Sequence, residues 1–419
     1  MRRRRALARL IVGALLVVVL CGAGAARVLG GAGRPFTGTI AVGVDPTALA
    51  VDARTGHVFV VNKDDGTVSV LDAARGTVLH TVTVGTRPVA VAVDARRSRA
   101  FVVNSNTAVY GSAYGPGTVS VLDTRTGALL RTVTVGTVPA TLAVDERTDR
   151  VFVANAEEDT VSVLDAARGR VVRTVTAGLG PSVIGVDMTW GRVFVGNAGS
   201  GTVQALDAAS GRVLRVVTVG SSGQGPVSGL VDAADGRVFV TAGGYSAGPL
   251  SILDAHTGSA LRSAPSATDI LLAVDARRGR LFTLDGATGG VLTVRDARTG
   301  VPLQTSPWSS HGALGFNSGR PTVATGDGRA FVATWGGTVL ALDMATGRIV
   351  RRLDGGAQIS AIAVAARTEQ VFVANLIAAP ARTTGLWAWL PSWARSRLPW
   401  LAPRHTPVGT VTVLDGNRS

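Results

Sequence analysis

The chain has 419 residues, of which 46% are hydrophobic and 17% charged, and it contains 53 glycines. This composition excludes a disordered chain and indicates a folded protein with many turns. The net charge is +14, yet Lys63 is the only lysine among the 42 basic residues. This bias is typical of GC-rich codon usage rather than of a nucleic-acid-binding surface. Cys21 is the only cysteine, so a disulfide or a cysteine-based metal site is excluded from the rest of the chain.

The first 26 residues have the pattern of an export leader. Arginines are concentrated in the first ten residues and precede an apolar stretch over 10–26. This stretch is long for a signal-peptide core and short for a membrane span, which needs ~20 residues. Cleavage within 23–25, retention as a membrane anchor and lipidation of Cys21 are the alternatives. Each predicts an extracytoplasmic protein, either secreted or held on the outer face of the cytoplasmic membrane, with 27–35 as the linker.

A repeated unit fills the remainder of the chain. The stretch VFVVNKDDGTVSVLDAARGTVLHTVTVG (58–85) returns as VFVANAEEDTVSVLDAARGRVVRTVTAG (151–178). Each unit reads as four short apolar runs, A to D, without a sustained helical period. The spacing between successive units, and the four strands in each unit, are typical of the blades of a β-propeller. The phenylalanine of the VFV phrase recurs at these positions: Phe59, Phe101, Phe152, Phe194, Phe239, Phe282, Phe331 and Phe372.

The two ends of the repeat region predict how the ring closes. The segment 36–44 is a D-type strand without a preceding A, B or C, and 409–415 is a C-type strand without a following D. The N-terminal strand should therefore complete the last blade, which leaves no unpaired sheet end between blades. The D-type strands predict an all-β propeller of eight blades over 36–419, with seven as the alternative because the sixth and seventh repeats are degenerate.

Two phrases of the repeat resemble those of a known family. FVVN, FVAN and FVGN in strand B, followed by GTVSVLD in strand C, resemble the YVTN-type β-propeller repeat proteins over about 45–415. The resemblance implies a propeller fold and a surface or secreted location. It implies no single activity.

The recurring polar residues are interpreted as structural. Asparagines end strand B, where a short amide can bridge to the turn backbone. Aspartates close strands A and C, where they can cap the following turns. Basic residues on strand D should protect the outer edge of each blade, with contact to an anionic wall polymer or lipid as the alternative. The strand-D residues are His80, Arg131, Arg173, Arg215, Arg262 and Arg351.

No catalytic or metal-binding constellation stands out. The five histidines lie at unrelated repeat positions, so no cofactor and no metal are expected. The sequence favours a non-catalytic binding or scaffolding module and leaves enzyme activity undecided. The alternative is a quinoprotein dehydrogenase-like or lactonase-like propeller enzyme that uses the central channel mouth. The candidate mouth residues precede the predicted A strands: Asp45, Arg87, Asp269, Arg320 and Gln358.

Propeller topology predicts two unequal faces. The A–B and C–D hairpins share the bottom face, and the B–C and D–A connections share the top face. Aromatic residues concentrate in the top connections, which predicts recognition of a surface protein or glycan there, with no nucleic acid. The leader enters at the bottom, so a retained leader would turn the bottom face to the membrane.

One top connection, 376–408, is a Trp- and Arg-rich insertion. It is predicted to be a recognition loop, or alternatively a lid that buries its own tryptophans. The candidate binding residues of the top face are Tyr110, Tyr114, Tyr245, Trp308, Trp335, Trp387, Trp389, Trp393, Arg395, Arg397 and Trp400.

Overall fold

The computed structural model arranges the chain in eight four-stranded antiparallel sheets, so the prediction of eight blades is confirmed. Regular structure in the described part of the chain is entirely β. No helix there is long and apolar enough to cross a membrane, and residues 1–35 lie outside that part. The structure describes residues 36–107, 115–221, 226–232, 235–242, 249–264, 269–275, 277–285, 291–307, 322–325, 328–333, 337–365, 368–376 and 409–416.

Each blade runs from an inner strand A to an outer strand D. Blades 1 and 2 consist of β2 (Pro46–Asp52), β3 (His57–Asn62), β4 (Thr67–Asp72), β5 (Thr77–Thr83), β6 (Pro88–Asp94), β7 (Arg99–Asn104), β8 (Pro116–Asp123) and β9 (Leu129–Thr137). Blades 3 and 4 consist of β10 (Pro139–Asp145), β11 (Arg150–Asn155), β12 (Thr160–Asp165), β13 (Arg170–Thr176), β14 (Pro181–Asp187), β15 (Arg192–Asn197), β16 (Thr202–Asp207) and β17 (Val213–Thr218).

The second half of the ring follows the same order. Blades 5 and 6 consist of β18 (Pro226–Asp232), β19 (Arg237–Ala242), β20 (Leu250–Asp254), β21 (Ala260–Ala264), β22 (Asp269–Asp275), β23 (Arg280–Asp285), β24 (Val291–Asp296) and β25 (Pro302–Pro307). Blades 7 and 8 consist of β26 (Thr322–Thr325), β27 (Arg329–Ala333), β28 (Thr338–Asp343), β29 (Ile349–Asp354), β30 (Ile359–Ala365), β31 (Gln370–Asn375), β32 (Thr410–Asp415) and β1 (Gly38–Ala41).

The ring closes through the N-terminal strand, as predicted. β1 pairs with β32 from Gly38 opposite Val413 to Ala41 opposite Thr410, and the sheet order is β1-β32-β31-β30. Nε2 of Gln370 donates hydrogen bonds of 2.9 Å to the carbonyl oxygens of both Phe36 and Ala73. One buried amide in blade 8 therefore holds the incoming N-terminal segment and the C–D turn of blade 1.

The core lies between neighbouring blades and is built mainly from strands B and C. Phe152 and Val161 of blade 3 pack with Val193 and Leu206 of blade 4 in one such cluster. The repeated phenylalanines are at most 3% exposed, and burying such a side chain contributes roughly 1.5–3 kcal/mol. Strand D faces solvent, as the mostly exposed β5 shows.

Basic side chains of strand D join successive blades. The Arg131 guanidinium donates to the carbonyl oxygen of Arg168 in the C–D turn of the next blade. Nη1 of Arg351 donates to the carbonyl oxygen of Asp415 at 3.0 Å in the same way. The expectation that these residues only protect an edge was therefore incomplete, because they also link neighbouring blades.

Candidate functional site

The eight A strands form the inner ring of the propeller, since each contacts the A strand of the next blade and β30 contacts β2. Asp45, Arg87 and Gln358 lie directly before β2, β6 and β30, so the fold places them at neighbouring positions on the top mouth. Asp269 is the first residue of β22, and Arg320 lies outside the described residues.

The residue before strand A has a left-handed backbone at the described mouth positions. The φ angle is 54° at Asp45, 49° at Arg87, 49° at Val138 and 53° at Gln358. This geometry directs the carbonyl oxygen to the chain that leaves strand B, and the carbonyl oxygen of Asp45 accepts a hydrogen bond from the Lys63 backbone N–H at 2.9 Å. The backbone of the residue before strand A therefore joins the two connections at the top of the blade.

Two mouth side chains are neutralised by ion pairs. Nζ of Lys63 lies 3.0 Å from a carboxylate oxygen of Asp45, and Nη1 of Arg87 lies 3.1 Å from Asp64. Both cationic side chains are about four-fifths buried. Asp45 and Arg87 thus tie the connections before strand A to the B–C loop of blade 1.

The described B–C loops of blades 1 and 3 are acidic. Asp65 accepts a hydrogen bond of 2.7 Å from the Val44 backbone N–H, and Asp159 accepts one of 2.8 Å from Gly180. Asp64, Glu157 and Glu158 are exposed. Sequence reasoning missed this acidic part of the top face, although the signal stands in the loop sequences NKDDGT and NAEEDT.

The predicted aromatic and arginine residues of the top connections lie outside the described residues, so their role stays a prediction. They are Tyr110, Tyr114, Tyr245, Trp308, Trp335, Trp387, Trp389, Trp393, Arg395, Arg397 and Trp400.

The asparagines that end strand B are buried and structural, but their partners differ from the predicted ones. Nδ2 of Asn104 donates to the hydroxyl oxygens of Thr118 at 2.9 Å and Ser120 at 3.0 Å, both in strand C. Ser120 then donates to the carbonyl oxygen of Val84 in the preceding blade at 2.9 Å. The amide therefore bonds to strand-C hydroxyls rather than to the turn backbone, and the chain of bonds crosses between two blades.

The aspartates cap turns, as predicted. Oδ1 of Asp94, at the end of strand A, accepts the Arg97 backbone N–H at 2.9 Å. Oδ1 of Asp72, at the end of strand C, accepts the backbone N–H groups of Ala74 and Arg75, both at 2.9 Å. No group of three or more histidine, cysteine or acidic residues in the described part of the chain is arranged to hold a metal.

Asp94, at the end of an inner strand A, and Asp207, at the end of a strand C, have pKa values shifted in opposite directions. Burial raises the pKa of Asp94, outweighing its hydrogen bonds from Arg97. Burial likewise raises the pKa of the neighbouring Glu146, and the charge of Asp94 raises it further. At the end of strand C, hydrogen bonds from the side chain and backbone of Ser210 lower the pKa of Asp207. Burial therefore outweighs hydrogen bonding at Asp94, and hydrogen bonding outweighs burial at Asp207.

These features define a closed eight-bladed β-propeller whose repeated polar residues serve its turns and blade junctions. The family model PQQ_2, described as outer membrane protein assembly factor BamB, matches residues 34–187 and 157–302. The matches span more than half of the chain, and the chain belongs to this family. No curated protein matches the sequence.

Solved structures share the fold at low sequence identity. The computationally designed Ika8 protein has a TM-score of 0.61 and 18% identity, covering 81% of this chain and 96% of its own. BamB from Moraxella catarrhalis has a TM-score of 0.58 and 18% identity, covering 82% and 97%. Kuenenia stuttgartiensis hydrazine synthase has a TM-score of 0.53 and 18% identity, covering 80% and 94%. At these identities the likeness shows the fold alone.

Proposed function

We propose that this protein is an exported, non-catalytic propeller that binds or scaffolds a surface protein or glycan through its top face. The observation that carries the proposal is membership of a family described as an assembly factor. A closed ring of blades is a rigid frame for connections of varied length and composition, which suits such a role. A YVTN-type repeat and an extracytoplasmic location belong to the same proposal.

The contacts of the polar residues support binding rather than catalysis. Asp45 and Arg87, the best-placed mouth residues for acid–base chemistry, are each held in an ion pair. A general acid or base needs a proton that can be exchanged with a substrate near neutral pH. A fixed ion pair instead gives the mouth a defined shape and charge, which suits recognition.

The recognition surface would combine the aromatic connections with the acidic loops of blades 1 and 3. Tryptophan, tyrosine and arginine are the residues most enriched at binding hot spots. The insertion 376–408 supplies four tryptophans and four arginines without an acidic residue. It is therefore the segment whose removal should affect partner binding most.

The test is capture of partners from the native cell surface by chemical cross-linking to the full chain. A variant with 378–406 replaced by a short glycine-containing turn should keep its melting temperature and lose the captured partner. Trp190→Phe, an aromatic change on the bottom face, is the matched control and should retain the partner. Unchanged capture by the loop variant would refute recognition by the insertion, and a collapsed melting temperature without loss of capture would make the insertion a structural lid.

The same preparation tests the enzyme alternative. The purified protein should show no visible absorbance band and no stoichiometric transition metal. A bound chromophore or metal at one equivalent per chain would overturn a non-catalytic role and favour an enzyme that uses the channel mouth.

A further inference from the structure

Acidic and basic side chains of the bottom face differ in their exposure to solvent. In the described bottom turns, every aspartate and glutamate is buried or half-buried, whereas most of the arginines are exposed. The paired residues of single turns show the contrast: the Arg75 side chain is 78% exposed and that of Asp72 12%, and the Arg168 side chain is 69% exposed and that of Asp165 7%. The outermost charged layer of this face consists of guanidinium groups.

The turn geometry explains this layering. Each aspartate folds inward because it accepts backbone N–H groups of its own turn, as Asp72 does from Ala74 and Arg75. The arginine that follows donates to the same aspartate through one guanidinium nitrogen, yet most of its side chain is exposed, as at Arg75 and Arg168. A repeated capping motif therefore produces a repeated exposed arginine on this face.

A groove on this face gathers three arginines. It has a volume of about 530 Å³ and is lined by Arg97, Arg150 and Arg168 together with Asp149 and Asp165. The two carboxylates are already paired, Asp149 with Arg97 and Asp165 with Arg168. Arg150 lies 3.8 Å from Asp165, which has the closer partner in Arg168. Arg97 and Arg168 are engaged by the same pairs, so three arginines and two carboxylates leave the groove with an excess of one positive charge, which favours an anion.

An exposed tryptophan lies on the same face. Trp190, in the A–B turn of blade 4, is 47% exposed, and its ring lies 4.5 Å from that of His256 in a tilted arrangement. Tryptophan is enriched where proteins meet the headgroup layer of a membrane. An exposed tryptophan beside exposed arginines therefore favours a lipid surface over a partner that is held by charge alone.

The N-terminal end of the described chain lies on this face. Phe36, the first described residue, packs against Gly76 in the C–D turn of blade 1. The sequence before it is basic and then apolar. If that segment is an export leader retained in the membrane, its attachment favours an orientation with the bottom face toward the bilayer.

We propose that the bottom face docks on an anionic phospholipid bilayer, with the exposed turn arginines binding lipid phosphates and Trp190 entering the headgroup layer. Arginine binds phosphate oxygens through two parallel N–H groups, which suits contact docking. The buried aspartates oppose the electric field of the arginines, and salt screens that field beyond a Debye length, about 10 Å at 0.1 M salt. Docking is therefore a short-range interaction that salt weakens.

The test uses the full chain in vesicles that carry a lipid-linked quencher. Ala209, exposed in a bottom turn, is changed to cysteine in a Cys21→Ser background and labelled with a fluorophore. We expect strong quenching in vesicles of phosphatidylcholine with phosphatidylglycerol, little in phosphatidylcholine alone, and a decrease at 0.5 M salt. The same label at Ser221, exposed on the top face, should not be quenched in either vesicle.

Two matched variants separate the face from the leader, whose own arginines also attract anionic lipid. Each removes three exposed arginines. The bottom variant, Arg125→Gln, Arg147→Gln and Arg212→Gln, should weaken docking roughly 100-fold, because each arginine near an anionic bilayer contributes about 1 kcal/mol. The outer-wall variant, Arg173→Gln, Arg215→Gln and Arg352→Gln, should dock normally.

Three outcomes would overturn the proposal. In the first, the label at Ala209→Cys is quenched equally in both kinds of vesicle. In the second, the bottom and outer-wall variants lose docking to the same extent. In the third, soluble dextran sulfate causes the same fluorescence change as the vesicles do. The last outcome would assign the face to a polyanion rather than to a bilayer. Circular dichroism melting of each variant confirms that the propeller is folded.

Discussion

The junction between Gly85 and Asn104 offers a direct test of how neighbouring blades are joined. A Cβ atom added to Gly85 would lie 2.7 Å from Cγ of Asn104. Gly85 does not have the left-handed φ found at many other glycines of the chain, so Gly85→Ala meets a steric obstacle rather than backbone strain. The obstacle is the amide that bonds to Thr118 and Ser120.

The two single substitutions have separable costs. Inserting a methyl group into a packed interior costs about 1–3 kcal/mol. Asn104→Ala removes two buried hydrogen bonds, each contributing about 1 kcal/mol, and leaves a small cavity, so we expect a loss of about 2–3 kcal/mol. Independent effects would add, giving about 3–6 kcal/mol in the double variant and always more than Asn104→Ala alone. Because the new methyl group fits into the space that the amide leaves, we expect the double variant to lose no more than Asn104→Ala alone, about 2–3 kcal/mol.

The assay is urea denaturation followed by far-ultraviolet circular dichroism at pH 7, with the slope of the transition compared between variants. The pair Gly85→Ala and Asn62→Ala is the matched control, because Asn62 packs against Gly43 instead. The control pair should be additive. Additivity at Gly85 and Asn104 as well would falsify the proposed contact between the blade connection and the asparagine.

The remaining predictions concern pH and ring closure. Asp207 has a lowered pKa, so its contribution to stability is present above its ordinary pKa of about 3.9 and lost as pH falls; Asp207→Asn should be destabilised at pH 7, with the gap narrowing below about pH 4 in urea titrations. Asp94 has a raised pKa, so its contribution to stability is present below its ordinary pKa and is lost as pH rises through the raised pKa. The Asp94→Asn variant should therefore equal the wild-type protein in stability in acid and be more stable at pH 7. Lower stability of the variant at pH 7 would contradict the raised pKa. Gln370→Ala removes two hydrogen bonds across the closure and should speed hydrogen exchange in β1 more than in β5, whereas equal protection would show that β1 is held by its pairing with β32 alone.

The fold could be predicted because each blade repeats one pattern. The buried phenylalanines report the period, the aspartate and glycine turns mark both hairpins, and the incomplete first and last repeats define the closure. These signals depend only on short stretches of sequence. They predicted both the number of blades and the pairing of β1 with β32, which the structure confirms.

The contacts between blades could not be predicted in the same way. The bond from Ser120 to the Val84 carbonyl and the bond from Arg351 to Asp415 depend on the position of one sheet against the next. A sequence period does not contain that information. One partial signal was available, since Thr118 and Ser120 are two residues apart on strand C and therefore face the same side as the amide of Asn104.

The position before strand A combines one backbone geometry with several different side chains. The backbone there is left-handed in every described example, and Gly180 shows that glycine fulfils the structural role with φ of 61°. Non-glycine residues nevertheless occupy the equivalent positions as Asp45, Arg87, Val138 and Gln358, although a side chain in this conformation costs roughly 1–2 kcal/mol. At three of these positions the side chain offsets part of that cost through a contact of its own. Asp45 and Arg87 form ion pairs with the B–C loop of blade 1, and Val138 is buried, so side chains as well as backbone join the connections before strand A to the ring.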